Sequence, residues 1–193
     1  MTKASTPRRH PFPASTLTTP RLLLRPMVAT DNHALLAICA DAPTMRYFSS
    51  APWTALAQAD DSIRATRRDY RTGKALRLAI TLAATGQLLG NCTLYAFHPS
   101  NRRCEMGYIL NRQHWGQGYM NEALTALLDY GFGTLALHRV EADIDPRNLA
   151  SARLLARLAF QREGYMRERW IVNGEVSDTE YFGLLASDWS AAR

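Results

Sequence analysis

Around residue 115 the hydrophobic period of this chain switches from two to about 3.6 and back again. Residues 104–111 (CEMGYILN) alternate, with Cys104, Met106, Tyr108 and Leu110 on one face and Glu105, Gly107, Ile109 and Asn111 on the other. A glycine-bearing turn follows. Met120, Leu124, Leu127, Leu128 and Gly131 then recur at helical spacing to about residue 132. Residues 138–145 are again a strand, with Val140, Ala142 and Ile144 facing one way. Two strands of one sheet joined through a helix must run parallel, which predicts a βαβ crossover.

The remaining elements arrange themselves around that unit. Residues 21–26 form a short apolar strand stopped by Pro26. Thr30 and Asp31 are placed to cap a helix to about residue 41, and Thr54 a second one to about residue 71, closed by Gly73. Two strands, 76–83 and 88–97, turn around Thr85-Gly86. Asn148 caps a last helix, and strands 161–172 and 179–185 turn at Asn173-Gly174. The expected order βααβββαβαββ is a mixed, mostly antiparallel sheet with one central parallel unit, in one α/β (α+β) domain.

The chain of 193 residues is long enough for one well-buried domain. Residues 1–18, rich in proline, serine and threonine, read as a disordered tail ahead of a domain at 19–193. The net charge is +6, and Lys3, Arg8 and Arg9 supply half of it. Cys39, Cys92 and Cys104 are widely spaced, which gives no disulfide framework and no metal site. They read as small core residues in a reducing compartment, the cytoplasm by default. No apolar run is long enough to cross a bilayer.

The junction itself reads Gln113-His114-Trp115-Gly116-Gln117-Gly118-Tyr119. The first turn of a helix has amides without intrahelical partners and a partial positive charge. With glycines to admit a ligand, such a loop suits a pyrophosphate. It is not a P-loop, because no lysine follows either Gly116 or Gly118. It is not a dinucleotide fingerprint either, because position 121 is Asn.

Gln113-x-x-Gly116-x-Gly118 at a strand-to-helix junction resembles the pyrophosphate motif of the GCN5-related N-acetyltransferases (GNAT superfamily). His138-Arg139-Val140-Glu141-Ala142, Asn148-x-x-Ser151 and the run from Leu158 to Gly164 resemble its RimJ/RimL-like branch, which acetylates N-termini of ribosomal proteins. Thr19 to Arg25 resembles the opening strand and Tyr181 to Trp189 the closing one. The resemblance covers about residues 19–189. One departure is Leu158-Ala159-Phe160 where the branch has Leu-Gly-Phe. Alanine takes a left-handed cap less readily than glycine, so a local shift is expected there.

The resemblance implies acetyl-CoA as cosubstrate, no metal, and direct attack of an amine on the thioester. Glu105 matches the strand glutamate of the branch and becomes the candidate base; a solvated strand acid is the plainer alternative. Ser151 is the candidate acid at the sulfur. Leu110, Arg112, Gln113, Trp115, Gly116, Gln117, Gly118, Tyr119, Met120, Asn148 and Ser151 are the candidate acetyl-CoA residues, with a backbone N–H near Leu110 as oxyanion donor. Asn148 and Ser151 also suffice as helix-capping chemistry. Tyr47, Phe48 and Trp53 are expected in the segment that walls the acceptor site, as core or as lining. The acceptor is expected to be the α-amine of a (ribosomal) protein, in a monomer or homodimer that could be ribosome-associated. A small amine, a non-catalytic acyl-CoA sensor, and an RNA binder using Arg64, Arg67, Arg68 and Arg71 are the alternatives.

Overall fold

The computed structural model describes residues 11–191. Strands β1 (Leu17–Thr18), β2 (Leu22–Pro26), β3 (Leu76–Leu82), β4 (Leu88–His98), β5 (Arg103–Leu110), β6 (Arg139–Ile144), β7 (Gln161–Val172) and β8 (Glu175–Leu185) form one sheet in the order β1-β2-β3-β4-β5-β6-β8-β7. Every neighbouring pair is antiparallel except β5 and β6, as the crossover requires. The helices are α1 (Asn32–Cys39), α2 (Ala42–Met45), α3 (Leu56–Thr72), α4 (Tyr119–Asp129), α5 (Leu149–Arg157) and α6 (Ala186–Ala191).

Strand alternation divides the core in two. Leu78, Cys92, Leu94, Cys104 and Met106 pack with Leu124, Leu127 and Leu128 of α4 and Leu155 of α5. Ala79, Leu88 and Ile109 face the other way, onto Leu35 and Ile38 of α1 and Ala59 and Ile63 of α3. The result is three layers, with the sheet between two helical ones. All three cysteines are buried free thiols, as their spacing indicated. Burial pushes the Cys39 thiol up to about 11, against the weak pull of Arg77.

The caps differ from expectation in two places. Asp31 does not cap α1 with its side chain. It accepts from Arg25 at 2.9 and 2.7 Å and from the Val28 amide at 2.9 Å, closing a 3-10 turn at Ala29–Asp31. Nor does Thr54 cap α3: the N-cap is Ala55, and Gln58 reaches back to accept from the Thr54 and Ala55 amides. Gly73 ends that helix with φ +76°, as expected. Helix α4 stops at Asp129 and passes into a π turn, Tyr130–Thr134, where Gly131 and Gly133 weaken the α register.

The domain boundary expected at residue 19 falls too late. Phe12 is buried in the larger core and stacks against Tyr70 and Phe97 at 5.8 and 5.5 Å. Leu17 and Thr18 pair with β2, and the Tyr130 hydroxyl donates to Pro13 O at 2.7 Å. Residues 11–18 therefore belong to the domain. The rest of the expected tail, residues 1–10, lies outside the described residues.

The turn after α5 closes without the expected shift. Ala159 takes φ +64°, its amide donates to Ala156 O, and the Phe160 amide donates to Leu155 O at 3.0 Å. That pair of bonds is a Schellman closure, and Phe160 is buried together with Leu155. A left-handed alanine costs about 1–2 kcal/mol, and the buried Phe160 holds it there. Ala159→Gly relieves that strain, offset in part by the greater freedom of glycine in the unfolded chain. The expected gain of about 1 kcal/mol raises Tm by about 2–4 °C, read by calorimetry.

Candidate active site

Parallel pairing of β5 and β6 covers Arg103, Cys104 and Glu105 against Arg139, Val140 and Glu141 and ends there. Beyond it the strands separate, β5 toward Leu110 and β6 toward Ile144. The Asn111 amide donates to Leu89 O at 2.7 Å, toward β4. By alternation the amides of Tyr108 and Leu110 face the opposite way, into the opening. The expected oxyanion donor therefore has an unpaired edge to work from.

The opening lies in a cleft of about 2260 Å³, well above the ~300–1,000 Å³ of a pocket for one small molecule. Two substrates can occupy it from opposite faces of the sheet. On the α4–α5 face it is lined by Leu110, Trp115, Gly116, Gly118, Tyr119, Met120, Asn148 and Ser151, eight of the eleven residues expected at the cofactor. Arg112, Gln113 and Gln117 do not line it. Arg112 pairs with Asp41 at 3.2 Å, and the Gln117 amide donates to Gln113 O, which braces the loop from within.

Gly116 and Gly118 take φ +73° and +78°, left-handed values that a β-carbon would strain. The first helical bond of α4 runs from the Glu122 amide to Gly118 O. The amides of Tyr119, Met120 and Asn121 are thus left without intrahelical acceptors, at the positive end of the helix. These donors fit a pyrophosphate. Trp115 donates its indole N–H to Leu110 O at 2.8 Å and joins the loop to the strand end.

On α5, Asn148 accepts from the Ser151 amide at 3.1 Å, so the capping role is real. Its side-chain N–H groups remain available. The Tyr108 hydroxyl is buried without a hydrogen bond, and burial pushes it up to about 12 despite Ser151 beside it.

Glu105 is on the opposite face, toward α1 and α3. It lines the cleft with Tyr95, its partner across β4, and with Asp143. Glu141, beside it in the parallel register, is held by Arg103 and Arg139, each at 2.8 Å. Among the described residues neither Glu105 nor Asp143 has such a cation. Burial, with the charges of Asp143 and Glu105 facing it, pushes the Tyr95 phenol up, so it stays a proton donor. Tyr47 and Phe48 also line the cleft, whereas Trp53 packs into the smaller core. Two of the four α3 arginines, Arg64 and Arg68, pair with Asp61 and Asp69 on an exposed face.

Sequence reasoning missed the brace behind the loop. Arg21 donates to Gln117 O at 3.0 Å and to Glu122 at 2.6 Å, and it lies 4.4 Å over the Tyr119 ring. Thr19 donates to Glu122 at 2.6 Å, and the Arg21 amide does so at 2.9 Å. The signal was a carboxylate in the first turn of a helix expected to meet an anion. Burial raises the Glu122 pKa, but these donors outweigh it and the net shift is downward. A depressed folded pKa gives stability that is present above the unfolded pKa and lost as pH falls through the folded one. Glu122→Gln should lower Tm at neutral pH by about 3–6 °C, for a loss of ~1.5 kcal/mol. The gap should close below the usual carboxylate range, read by thermal unfolding against pH.

Comparison with known proteins agrees with this geometry. Residues 21–161 match the acetyltransferase (GNAT) domain family. The uncharacterized N-acetyltransferase p20 of Bacillus licheniformis is 37% identical over 175 residues, 91% of this chain and 98% of that protein. The ribosomal protein uS5-alanine N-acetyltransferase of Escherichia coli (strain K12) is 38% identical over 90 residues, 47% of this chain and 46% of that protein. A solved structure, a putative ribosomal-protein-serine acetyltransferase from Vibrio cholerae, superposes with a TM-score of 0.77 at 28% identity, over 90% of this chain and 98% of that one. With strands that part above Glu105 and a helix N-terminus shaped for a pyrophosphate, the chain belongs to the GNAT family of acetyl-CoA-dependent N-acetyltransferases.

Proposed function

We propose that the protein acetylates the α-amine of a protein N-terminus, with Glu105 as general base and a ribosomal protein as the class of acceptor. The observation that carries this reading is the position of Glu105, where β5 and β6 part, on the face opposite the pyrophosphate loop. An acceptor ammonium reaching the opening meets a carboxylate without a competing cation. The thioester enters from the other face.

The steps then follow from the residues. Glu105, directly or through a water, takes a proton from the ammonium, and the free amine attacks the thioester carbonyl. The oxyanion that forms is met by the amide of Leu110. The tetrahedral carbon collapses and the C–S bond breaks; Ser151 supplies a proton to the departing sulfur and is reprotonated by the second proton that the nitrogen releases, directly or through water. The N-terminal amide and CoA leave by separate mouths of the cleft. Asn148 holds the pantetheine arm through the side-chain N–H groups that capping leaves over.

Support for a protein acceptor comes from the two relatives named for ribosomal proteins and from the shape of the cleft. Its acceptor end runs between Tyr47–Phe48 and the turn of the β7–β8 hairpin at Trp170–Asn173. A chain trailing behind the amine would run through that gap.

Acetyl-CoA at about 100 times its Kd should stabilise the fold by roughly 2.7 kcal/mol, or about 5–10 °C in Tm, with no shift from NAD or ATP. Glu105→Gln should keep that shift while turnover falls about 10²–10⁴-fold, the span of general-base catalysis. Unchanged turnover with N-terminal peptides would remove Glu105 from the mechanism. A lost acetyl-CoA shift would reduce the Gly116 loop to a turn.

A further inference from the structure

Arg77 points from β3 onto the Glu105 face and lines the same cleft. Its surroundings are unusual for a largely buried cation. Its Nε donates to Thr93 at 3.2 Å, and its Nη1 donates to Ser62 at 3.1 Å and Thr66 at 3.3 Å, the last two on α3. All three partners are neutral hydroxyls. A guanidinium has five N–H groups, and these bonds leave the two on Nη2 unused. Among the described residues Arg77 forms no ion pair. Burial lowers its pKa, offset in part by Cys39 and by Asp69 on the same cleft wall, yet arginine remains charged. A buried charge is ordinarily paired. Here the hydroxyls fix the planar group in a residue that lines the cleft.

The register places this charge relative to the chemistry. Arg77 pairs with Thr93, and Thr93 with Gly107, two residues along β5 from Glu105. Two strand spacings are about 10 Å, and the arginine side chain leans across part of that span to Thr93. The face that receives the amine is therefore polarised. Glu105 and Asp143 are at one end and the Arg77 guanidinium is at the other, where Asp69 and Lys74 also line the wall, with Thr93 and Asn91 between.

We propose that Arg77 anchors a carboxylate carried by the acceptor, so that the substrate presents its ammonium to Glu105 and its carboxylate to Nη2 of Arg77. The carboxylate is either that of a free amino acid or that of an acidic side chain close behind a protein N-terminus. Both offer a carboxylate oxygen that an Nη2 N–H can bind in a charge-assisted hydrogen bond. Discrimination of this kind is expected when a site would otherwise hold an unpaired buried charge. The inference builds on the acetyl-transfer reading for the other substrate, but its test needs no turnover.

Binding is measured by calorimetry with CoA present, using two matched pairs of probes. One pair is β-alanine and its carboxamide. The other is an N-terminal alanyl heptapeptide amide with Glu or with Gln at its second residue. The wild-type protein should bind the acid of at least one pair about 10–100-fold more tightly than its neutral partner, and the pair that shows the ratio identifies the source of the carboxylate. Arg77→Met should bring that ratio to about one. Arg77→Lys, which keeps the charge and loses the planar group held by the three hydroxyls, should retain part of it. A ratio near one for both pairs in the wild type, no binding of either acid, or a ratio that survives in Arg77→Met would overturn the proposal. The wild-type ratio stands whether or not the variants fold. Stabilisation by acetyl-CoA, read in the same samples, separates failure of this inference from failure of the acetyltransferase reading.

Discussion

Three residue pairs of parallel ladder, Arg103–Glu105 on Arg139–Glu141, hold β5 and β6 together, and beyond them the two strands diverge. Everything at the site depends on where that pairing stops. If it continued to Leu110, the amides of Tyr108 and Leu110 would be spent on β6 and no passage would join the two faces. If it began later, Glu105 would lose the register that sets it beside Tyr95 and the neutralised Glu141. The outward antiparallel neighbours, β4 and β8, keep each strand in place after it leaves the other. The separation is thus built into a sheet that remains whole.

The two faces divide the work because strand side chains alternate. Leu110 and Tyr108 belong to the face of α4 and α5, with the loop donors and Ser151, while Glu105 belongs to the face of α1 and α3. In the proposed mechanism one strand therefore serves both substrates, with the Glu105 carboxylate on the face opposite the loop donors. The paired Glu141 adds to this, since Arg103 and Arg139 cancel its charge and leave Glu105 and Asp143 as the negative groups at the opening. The arrangement is electrostatic as much as steric.

Much of this was legible in local chemistry. The strand–turn–helix–strand pattern implied the parallel pair, and Asn173-Gly174 forms the hairpin turn its residues demand, both with positive φ. Glu105, Gly116, Gly118, Asn148 and Ser151 could be singled out from a family resemblance carried by short motifs, and all five line the cleft. What stayed hidden depends on register between distant segments. Nothing in residues 19–21 says that they will meet Glu122, and nothing in a strand reading of residues 76–83 distinguishes a cleft arginine from a surface one. The cap misreadings have a similar cause: Asp31 was drawn away by Arg25, a partner outside its own helix. Ala159 was misjudged because a buried Phe160 outweighs one unfavourable backbone angle.

The segment that begins at Pro11 has a bearing on how the cleft is bounded. Pro11 lies against Gly73, where a β-carbon would come within 2.9 Å of it, and Phe12 is wedged between Tyr70 and Phe97. Gly73, Lys74, Ala75 and Phe97 are themselves part of the cleft wall. Pro11 and Phe12 are therefore an outer buttress to the acceptor end. Proteolytic trimming past residue 12 would take Pro11 from the Gly73 wall and Phe12 from the larger core, and so loosen that boundary of the cleft.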